Sequence, residues 1–243
     1  MAEPILYIAG DVHLRGDEGP DAAFLRFLDL LAHRSPARLV LLGDLFEYWL
    51  ETGASARRYE PTLARLRALR AAGWALDLVL GNRELAAGRL LEVASGCRVS
   101  WPKLDLRLGE RRVRVVHGDR LCHDPGYRFF SAWMRSFWQR RWHELHPAFV
   151  QDAVARAMRR RSKGTPRPGQ QRPSRVFIDR RRVQASARGA DLLIAGHIHD
   201  SWRREIGGVD LILVGDWPGT VGHWLECHAD GTVAHIRRDF AMA

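Results

Sequence analysis

An α/β layer fold is the class that the sequence predicts. Short apolar runs alternate with helical patterns through the first half of the chain, and apolar runs return after residue 190. The earlier runs end in turns that carry polar residues, as expected where parallel strands reach the carboxyl edge of a sheet. The length of 243 residues, with no internal repeat, predicts a single domain over residues 1–243.

The first half of the chain contains three predicted strands, at residues 4–9, 38–42 and 76–80. Two helical patterns separate them, at residues 22–33 and 62–72, where apolar residues recur three and four positions apart. Strands that alternate with helices in this way are expected to pair in parallel. The first half therefore predicts a parallel sheet covered by helices.

The second half contains five further predicted strands. Residues 112–116 and 191–195 are apolar runs that each lead into a turn containing histidine. Residues 209–214, 221–227 and 233–237 are short strands separated by turn residues. We expect these last three to form an antiparallel meander that completes a second sheet.

The alternation of strands and helices breaks between His117 and Asp191. Residues 126–161 have a helical pattern, and eight aromatic residues lie within 127–149. An aromatic helix followed by an arginine-rich segment predicts a helical cap, inserted at about 124–188, over the carboxyl edge of the sheet. The alternative is a helical pair whose aromatic side chains pack only on one another.

The positive charge of the chain is concentrated in one segment. The formal net charge is +10, and residues 156–188 contain twelve Lys or Arg with a single acid, Asp179. The rest of the chain is therefore nearly neutral. A local cationic surface of this kind suits a polyanion or an anionic membrane.

Several classes of protein are disfavoured by the sequence. The apolar runs are far shorter than the roughly 20 residues that a helix needs to cross a bilayer, and the start of the chain lacks the pattern of a signal peptide. The three cysteines, Cys97, Cys122 and Cys227, form no CxxC pair, so we expect free thiols and no zinc knuckle. These features predict a cytoplasmic protein.

Seven polar residues at the ends of predicted strands are candidate metal ligands. Carboxylates mixed with imidazoles suit Mn²⁺, Fe²⁺ or Zn²⁺. Seven ligands are too many for one tetrahedral ion but suit two ions that share a carboxylate, an arrangement that catalyses phosphoryl transfer. One such turn alone would usually be structural, whereas five in order favour a site. The seven are Asp11, His13, Asp44, Asn82, His117, His197 and His199.

The order of these turns resembles the calcineurin-like metallophosphoesterase superfamily. The matching motifs are Asp11-x-His13, Gly43-Asp44, Gly81-Asn82-Arg83-Glu84, His117-Gly118-Asp119 and Gly196-His197-Ile198-His199. The resemblance implies a four-layer α/β-β/α metallophosphoesterase sandwich with the helical cap inserted into it. It also implies that Asp44 bridges two divalent metal ions. One ion would be held by Asp11, His13, Asp44 and His199, and the other by Asp44, Asn82, His117 and His197.

A narrower group within this superfamily is similar as well, the UDP-2,3-diacylglucosamine hydrolases of lipid A biosynthesis. The similar segments are GDLFEYW at 43–49, GNR at 81–83, HGDRLC at 117–122 and LVGDW at 213–217. This similarity implies hydrolysis of the pyrophosphate of a lipid-linked UDP-sugar to UMP and 2,3-diacylglucosamine 1-phosphate, usually with Mn²⁺. It implies a peripheral membrane enzyme, and the basic, aromatic-bearing cap would suit docking on the anionic cytoplasmic face of the inner membrane.

The resemblance also assigns roles to individual residues. It matches Arg83, Asp124 and Ser162 to residues that bind the substrate, although Arg83 could instead form a structural ion pair. As a hypothesis of mechanism, Asp44, Asn82 and His197 would be catalytic. Asp216 and Trp217, in a late turn, are interpreted as structural. Two other functions stay open: a soluble phosphodiesterase or nucleotide pyrophosphatase, and, less favoured, a nuclease whose arginines follow nucleic acid. The oligomeric state stays open.

Overall fold

The computed structural model describes residues 3–16, 20–84, 87–122 and 178–241. The strands are β1 Leu6–Ala9, β2 Arg38–Leu41, β3 Ala75–Val79, β4 Arg98–Ser100, β5 Lys103–Leu108, β6 Arg111–Val116, β7 Leu192–Ala195, β8 Ser201–Ile206, β9 Val209–Val214, β10 Val221–Cys227 and β11 Val233–Asp239. The described helices are α1 Pro20–Ala32, α2 Gly53–Arg58, α3 Glu60–Ala71, α4 Arg89–Ser95 and α5 Arg180–Ala187, with a 3₁₀ turn at Asp119–Leu121.

The first sheet has the strand order β11-β10-β1-β2-β3-β4. Strands β1, β2 and β3 are parallel, as the alternating pattern predicts, and the unpredicted β4 adds a fourth parallel strand. Ala9 pairs with Leu41, and Leu41 pairs with Leu78, so the three strands end at nearly the same level. The turns that follow β1, β2 and β3 therefore meet at one edge of the sheet.

The second sheet has the strand order β5-β6-β7-β9-β8. Strands β6 and β7 are parallel, and Val116 pairs with Ala195 at their carboxyl ends. The backbone N–H of Gly196 donates to the carbonyl of His117 over 2.8 Å, which keeps the two following turns together. The histidines after these strands therefore share one edge.

The predicted meander is wrong. Strand β9 lies in the second sheet and is parallel to β7, whereas β10 and β11 are antiparallel strands that extend the first sheet from β1. The spacing of apolar runs and turn residues predicts where strands form, but it does not predict which sheet each strand joins. The deciding property is burial of β10 on both faces, because Trp224 packs with the helices and Leu225 packs between the sheets.

Three apolar clusters separate four layers. The central cluster joins the facing sheets through residues such as Ile8, Val40 and Ile194. An outer cluster packs Phe24 and Phe27 of α1, with residues of α3 and α4, on the first sheet. A second outer cluster packs α5 on the other face of the second sheet. The predicted four-layer α/β-β/α sandwich is confirmed.

The helices follow the sequence prediction in part. The helical patterns at 22–33 and 62–72 correspond to α1 and α3, whereas the short α2 and α4 were not predicted. Most of the predicted cap, about 124–188, lies outside the described residues, and so do Asp124 and Ser162. The described end of that segment includes α5, which belongs to the fourth layer.

Two smaller expectations concern the cysteines and membrane-spanning helices. All three cysteines are buried free thiols, as expected. Within the described parts of the chain, no helix combines the length and the apolar character that crossing a bilayer requires.

Candidate metal centre

The seven predicted ligands come together at the carboxyl edges of the two sheets. Each of them follows a strand: β1, β2, β3, β6 or β7. The carboxylates of Asp11 and Asp44 and the imidazole of His117 are buried, and the other four side chains are partly exposed. The fold thus converts five separated turns into one cluster that is partly exposed to solvent.

Five of the seven ligands have a left-handed backbone. Positive φ angles are unfavourable for residues with a Cβ atom, and such strain is typical of functional sites. Asp and His are among the residues that tolerate this conformation best. The five are Asp11 (φ 52°), His13 (φ 55°), Asp44 (φ 46°), His197 (φ 69°) and His199 (φ 60°).

Gly43 allows the turns after β2 and β3 to touch. Its φ is 78°, and a Cβ atom at this position would collide with the backbone nitrogen of Gly81. A Cβ atom on Gly81 would in turn collide with the Asp44 carboxylate. Both positions therefore require glycine because the two backbone segments approach closely, not because the chain must be flexible there.

The first ligand group consists of Asp11, His13 and His199, whose ligand atoms lie within 4.8 Å of one another. The Nε2 atoms of His13 and His199 are 3.2 Å apart, and His199 Nε2 is 3.9 Å from Asp11 Oδ1. The other Asp11 oxygen, Oδ2, accepts a hydrogen bond from the backbone N–H of His197 over 2.7 Å. Asp11 is thereby fixed with Oδ1 facing the imidazoles.

The second ligand group consists of Asp44, His117 and His197, with Asn82 beside it. His117 Nε2 lies 2.9 Å from Asn82 Oδ1, 3.1 Å from His197 Nδ1 and 3.5 Å from Asp44 Oδ1. His117 Nδ1 donates to the carbonyl of Leu42 over 2.8 Å. That bond places the proton on Nδ1 and leaves the lone pair of Nε2 directed at the other ligands.

The electrostatics of the cluster favour a bound cation. Burial raises the pKa of Asp11 well above its ordinary range, and the nearby Asp44 carboxyl raises it further. Burial, helped by neighbouring imidazoles, lowers the pKa of His13 to about 3 and that of His197 to about 4. These imidazoles are therefore neutral near pH 7, the form that binds metals. A cation among these groups would stabilise the ionised carboxylates.

The donor set fits divalent metal ions. Asp11 Oδ1 and His13 Nδ1 are buried and have no hydrogen-bond partner in the described structure. The lone pair of His117 faces the Asn82 carbonyl oxygen, another lone-pair atom, at 2.9 Å. Such contacts are repulsive unless a positive charge lies between the atoms. Oxygen and imidazole ligands in two groups match the expected pair of sites.

Glu84 supports the site, a role that the sequence motif containing it does not predict. Its buried carboxylate accepts hydrogen bonds from the backbone N–H groups of Asp44 (2.9 Å), Phe46 (3.0 Å) and Gly81 (3.1 Å). It thereby joins the turns after β2 and β3. Burial, and then the Asp44 charge, raise the pKa of Glu84 to about 7. The sequence shows that Glu84 directly follows Gly81-Asn82-Arg83. It does not show that the Glu84 side chain is buried.

Arg83 lies at the rim of the cluster, with its side chain 28% exposed. Its backbone N–H donates to Asp44 Oδ1 over 2.9 Å, and its Nε atom is 3.7 Å from Asp44 Oδ2. Its Nη1 atom is 3.6 Å from the Glu47 carboxylate. The guanidinium is therefore held beside the second ligand group, where a phosphate bound at the cluster would meet it.

The chain is similar to known proteins in sequence and in fold. A family model described as calcineurin-like phosphoesterase matches residues 6–201. The UDP-2,3-diacylglucosamine hydrolase of Escherichia coli O7:K1 is 35% identical over 160 residues, which cover 65% of this chain and 66% of that protein, just under two thirds. The protein of the same name from Salmonella agona is 30% identical over 246 residues, or 96% of this chain and 95% of that one. The solved structure of Yfce, a phosphoesterase from E. coli, has a TM-score of 0.45 at 17% identity and covers 95% and 97% of the two chains.

Proposed function

The chain belongs to the calcineurin-like phosphoesterase family, and on that premise we propose that it hydrolyses UDP-2,3-diacylglucosamine. The products would be UMP and 2,3-diacylglucosamine 1-phosphate, and the reaction would serve lipid A biosynthesis. The observation that carries the proposal is similarity to a hydrolase of that name over 96% of this chain, joined to two convergent groups of metal ligands.

We propose two divalent metal ions, most favourably Mn²⁺, as the cofactors. Asp11, His13 and His199 would hold one ion, and His117, His197 and Asn82 would hold the other, with Asp44 shared between them. When bound, such ions act as Lewis acids on a phosphate and lower the pKa of water. The mixture of carboxylate, amide and imidazole donors supports Mn²⁺ over the softer ions that thiolates select.

The side chains of the site have separate tasks in this proposal. The Arg83 guanidinium binds a phosphate oxygen of the pyrophosphate through its fork of N–H donors. The backbone N–H of Arg83 fixes one oxygen of Asp44. His197 Nδ1 lies 3.1 Å from His117 Nε2, within the second ligand group. If His197 holds the ion through Nδ1, its proton would lie on Nε2. That N–H, together with the Asn82 amide, stabilises negative charge that develops on the phosphoryl oxygens.

The test of the function is release of UMP. Protein loaded with Mn²⁺ should convert UDP-2,3-diacylglucosamine to UMP and the sugar 1-phosphate, detected by ³¹P NMR and chromatography. Arg83→Gln should lower kcat/KM by at least about tenfold, the value of one charged contact in the transition state, while the metal content is unchanged. Hydrolysis of simple phosphodiesters without any release of UMP would contradict this substrate and favour a soluble phosphodiesterase.

We further propose that the protein is cytoplasmic and docks on the anionic face of the inner membrane. A cavity of about 570 Å³ has Gly118 and Asp119, the two residues after His117, among its lining residues. Its apolar wall includes Pro102, Val116 and Leu121, and its basic wall includes Lys103, Arg120 and Arg182. An apolar groove with a basic rim has the chemistry of an anionic lipid surface.

Features beside this groove also support a membrane partner. Trp101 is 47% exposed, and the Arg120 guanidinium lies 5.5 Å from the centre of its ring. Tryptophan is enriched at membrane–water interfaces. Helix α5 adds the exposed Arg180 and Arg181, which belong to the basic segment found in the sequence. Arg182, the next residue of the same helix, lines the groove, so the described end of that segment reaches it.

Membrane docking is tested with vesicles. Wild-type protein should sediment with vesicles of phosphatidylethanolamine and phosphatidylglycerol but not with neutral phosphatidylcholine vesicles. Arg180→Gln with Arg181→Gln should weaken binding roughly tenfold or more, because each cation near such a surface contributes about 1 kcal/mol. The matched control, Arg57→Gln with Arg89→Gln, removes two exposed arginines from the opposite helical layer and should bind normally. Equal loss in both double variants would contradict this surface.

A further inference from the structure

The turn after β9 brings a further carboxylate to the metal centre. Gly215 has φ 92°, and the chain turns there so that Asp216 lies beside the turn that follows β7. Asp216 Oδ2 is 3.3 Å from Nδ1 of His199. The side chains of the two residues are 23% and 26% exposed, so water competes for this contact only in part.

His199 presents its two ring nitrogens to different partners. Nδ1 faces the Asp216 carboxylate, whereas Nε2 faces His13 Nε2 at 3.2 Å and Asp11 Oδ1 at 3.9 Å. A neutral imidazole carries one proton, and a carboxylate is an acceptor for it. A proton on Nδ1 leaves a lone pair on Nε2, the atom that lies among the other ligands of the first group.

In the second ligand group, a different acceptor fixes the position of the imidazole proton. There, the Leu42 carbonyl accepts from Nδ1 of His117 and directs its Nε2 to the ligands. In the first group, a charged carboxylate takes the place of the neutral carbonyl. A carboxylate makes the imidazole a stronger electron donor than a carbonyl does, because its negative charge is partly shared through the hydrogen bond.

We propose that Asp216 is a positioning residue that fixes the tautomer and ring orientation of His199 and so strengthens one of the two metal sites. This proposal gives Asp216 a more specific role than the structural one expected from the sequence. The inference rests on the metal centre of the proposed function and not on the substrate. It would therefore stand if no UMP were released, provided that the protein binds metal.

The test uses Mn²⁺ alone as the probe, without substrate. Calorimetric and EPR titrations of metal-free protein should give two dissociation constants for the wild type. Asp216→Ala should raise one of them about 10- to 100-fold, the usual effect of losing such a partner, and leave the other within about twofold. Asp216→Asn, which keeps a hydrogen-bond acceptor but removes the charge, should give an intermediate value.

A second measurement reports the tautomer directly. Two-bond ¹H–¹⁵N NMR spectra of the metal-free protein should show His199 protonated on Nδ1 in the wild type and a mixture of tautomers in Asp216→Ala. The matched control is Asp200→Asn, which removes an exposed carboxylate from the residue next to His199 and should change neither measurement. The proposal is overturned if both Mn²⁺ constants weaken equally, if neither changes, or if Asp200→Asn has the same effect as Asp216→Asn. If Asp216→Ala does not fold, the comparison of the two asparagine variants decides.

Discussion

An Asp44→Ala variant should lose both metal ions and turnover together. The Asp44 carboxylate is buried, faces His117 and is fixed by the backbone N–H of Arg83. If it is shared between the two ion sites, as the family resemblance implies, its removal takes a ligand from each. We expect kcat/KM to fall by more than about a thousandfold, because paired ions supply most of the stabilisation of a phosphoryl transition state. Elemental analysis of the purified protein and steady-state kinetics measure the two effects.

The matched control for this variant is Asp77→Ala. Asp77 is as buried as Asp44 and lies in β3, but it pairs with Arg38 and Arg98 away from the metal centre. Its loss should lower the stability of the protein and leave the metal content unchanged. An Asp44→Ala protein that retained two ions with wild-type affinity would refute the shared role, and retention of one ion would limit Asp44 to the second group.

A Glu84→Ala variant should unfold much more easily than the wild type. Three backbone N–H groups, those of Asp44, Phe46 and Gly81, would lose their acceptor inside the protein. A buried polar group without a partner costs about 1–3 kcal/mol, so we expect the free energy of unfolding to fall by about 3 kcal/mol or more. The turns after β2 and β3 should also separate and weaken metal binding. Urea unfolding of the metal-free protein measures the first effect, and Mn²⁺ titration measures the second.

Glu51→Ala is the comparison for this prediction. The Glu51 carboxylate also accepts from the chain, at the backbone N–H of Leu90 and the indole N–H of Trp49, but it does not join the two ligand turns. We expect it to lower stability while Mn²⁺ binding is retained. If both variants bind Mn²⁺ equally well, the role of Glu84 in holding the ligand turns is wrong.

The ligands could be predicted from the sequence because their signal is local. Each follows an apolar run, and most lie next to a glycine, so strand, turn and ligand are read from a few consecutive residues. Parallel pairing then places those turns at one edge. The structure brings all seven predicted residues together, and Arg83 lies beside them.

The supporting residues could not be predicted because their signal is not local. Glu84 and Asp216 act through contacts with turns that lie elsewhere in the chain, and a single sequence does not record such contacts. The placement of β10 and β11 failed for the same reason. The sequence of a short apolar strand indicates that the strand will be buried. Which element buries it depends on the packing of the whole molecule.

The left-handed backbone at five ligands affects which amino-acid substitutions stabilise the protein. Glycine at His13 or His199 would remove a ligand and at the same time relax the main chain, since glycine adopts positive φ without penalty. Each such replacement would tend to make the protein harder to unfold while making it chemically inert. Screening variants for thermal tolerance alone would therefore drift toward sequences that have lost the centre, and any stabilised version needs to be selected on catalysis as well.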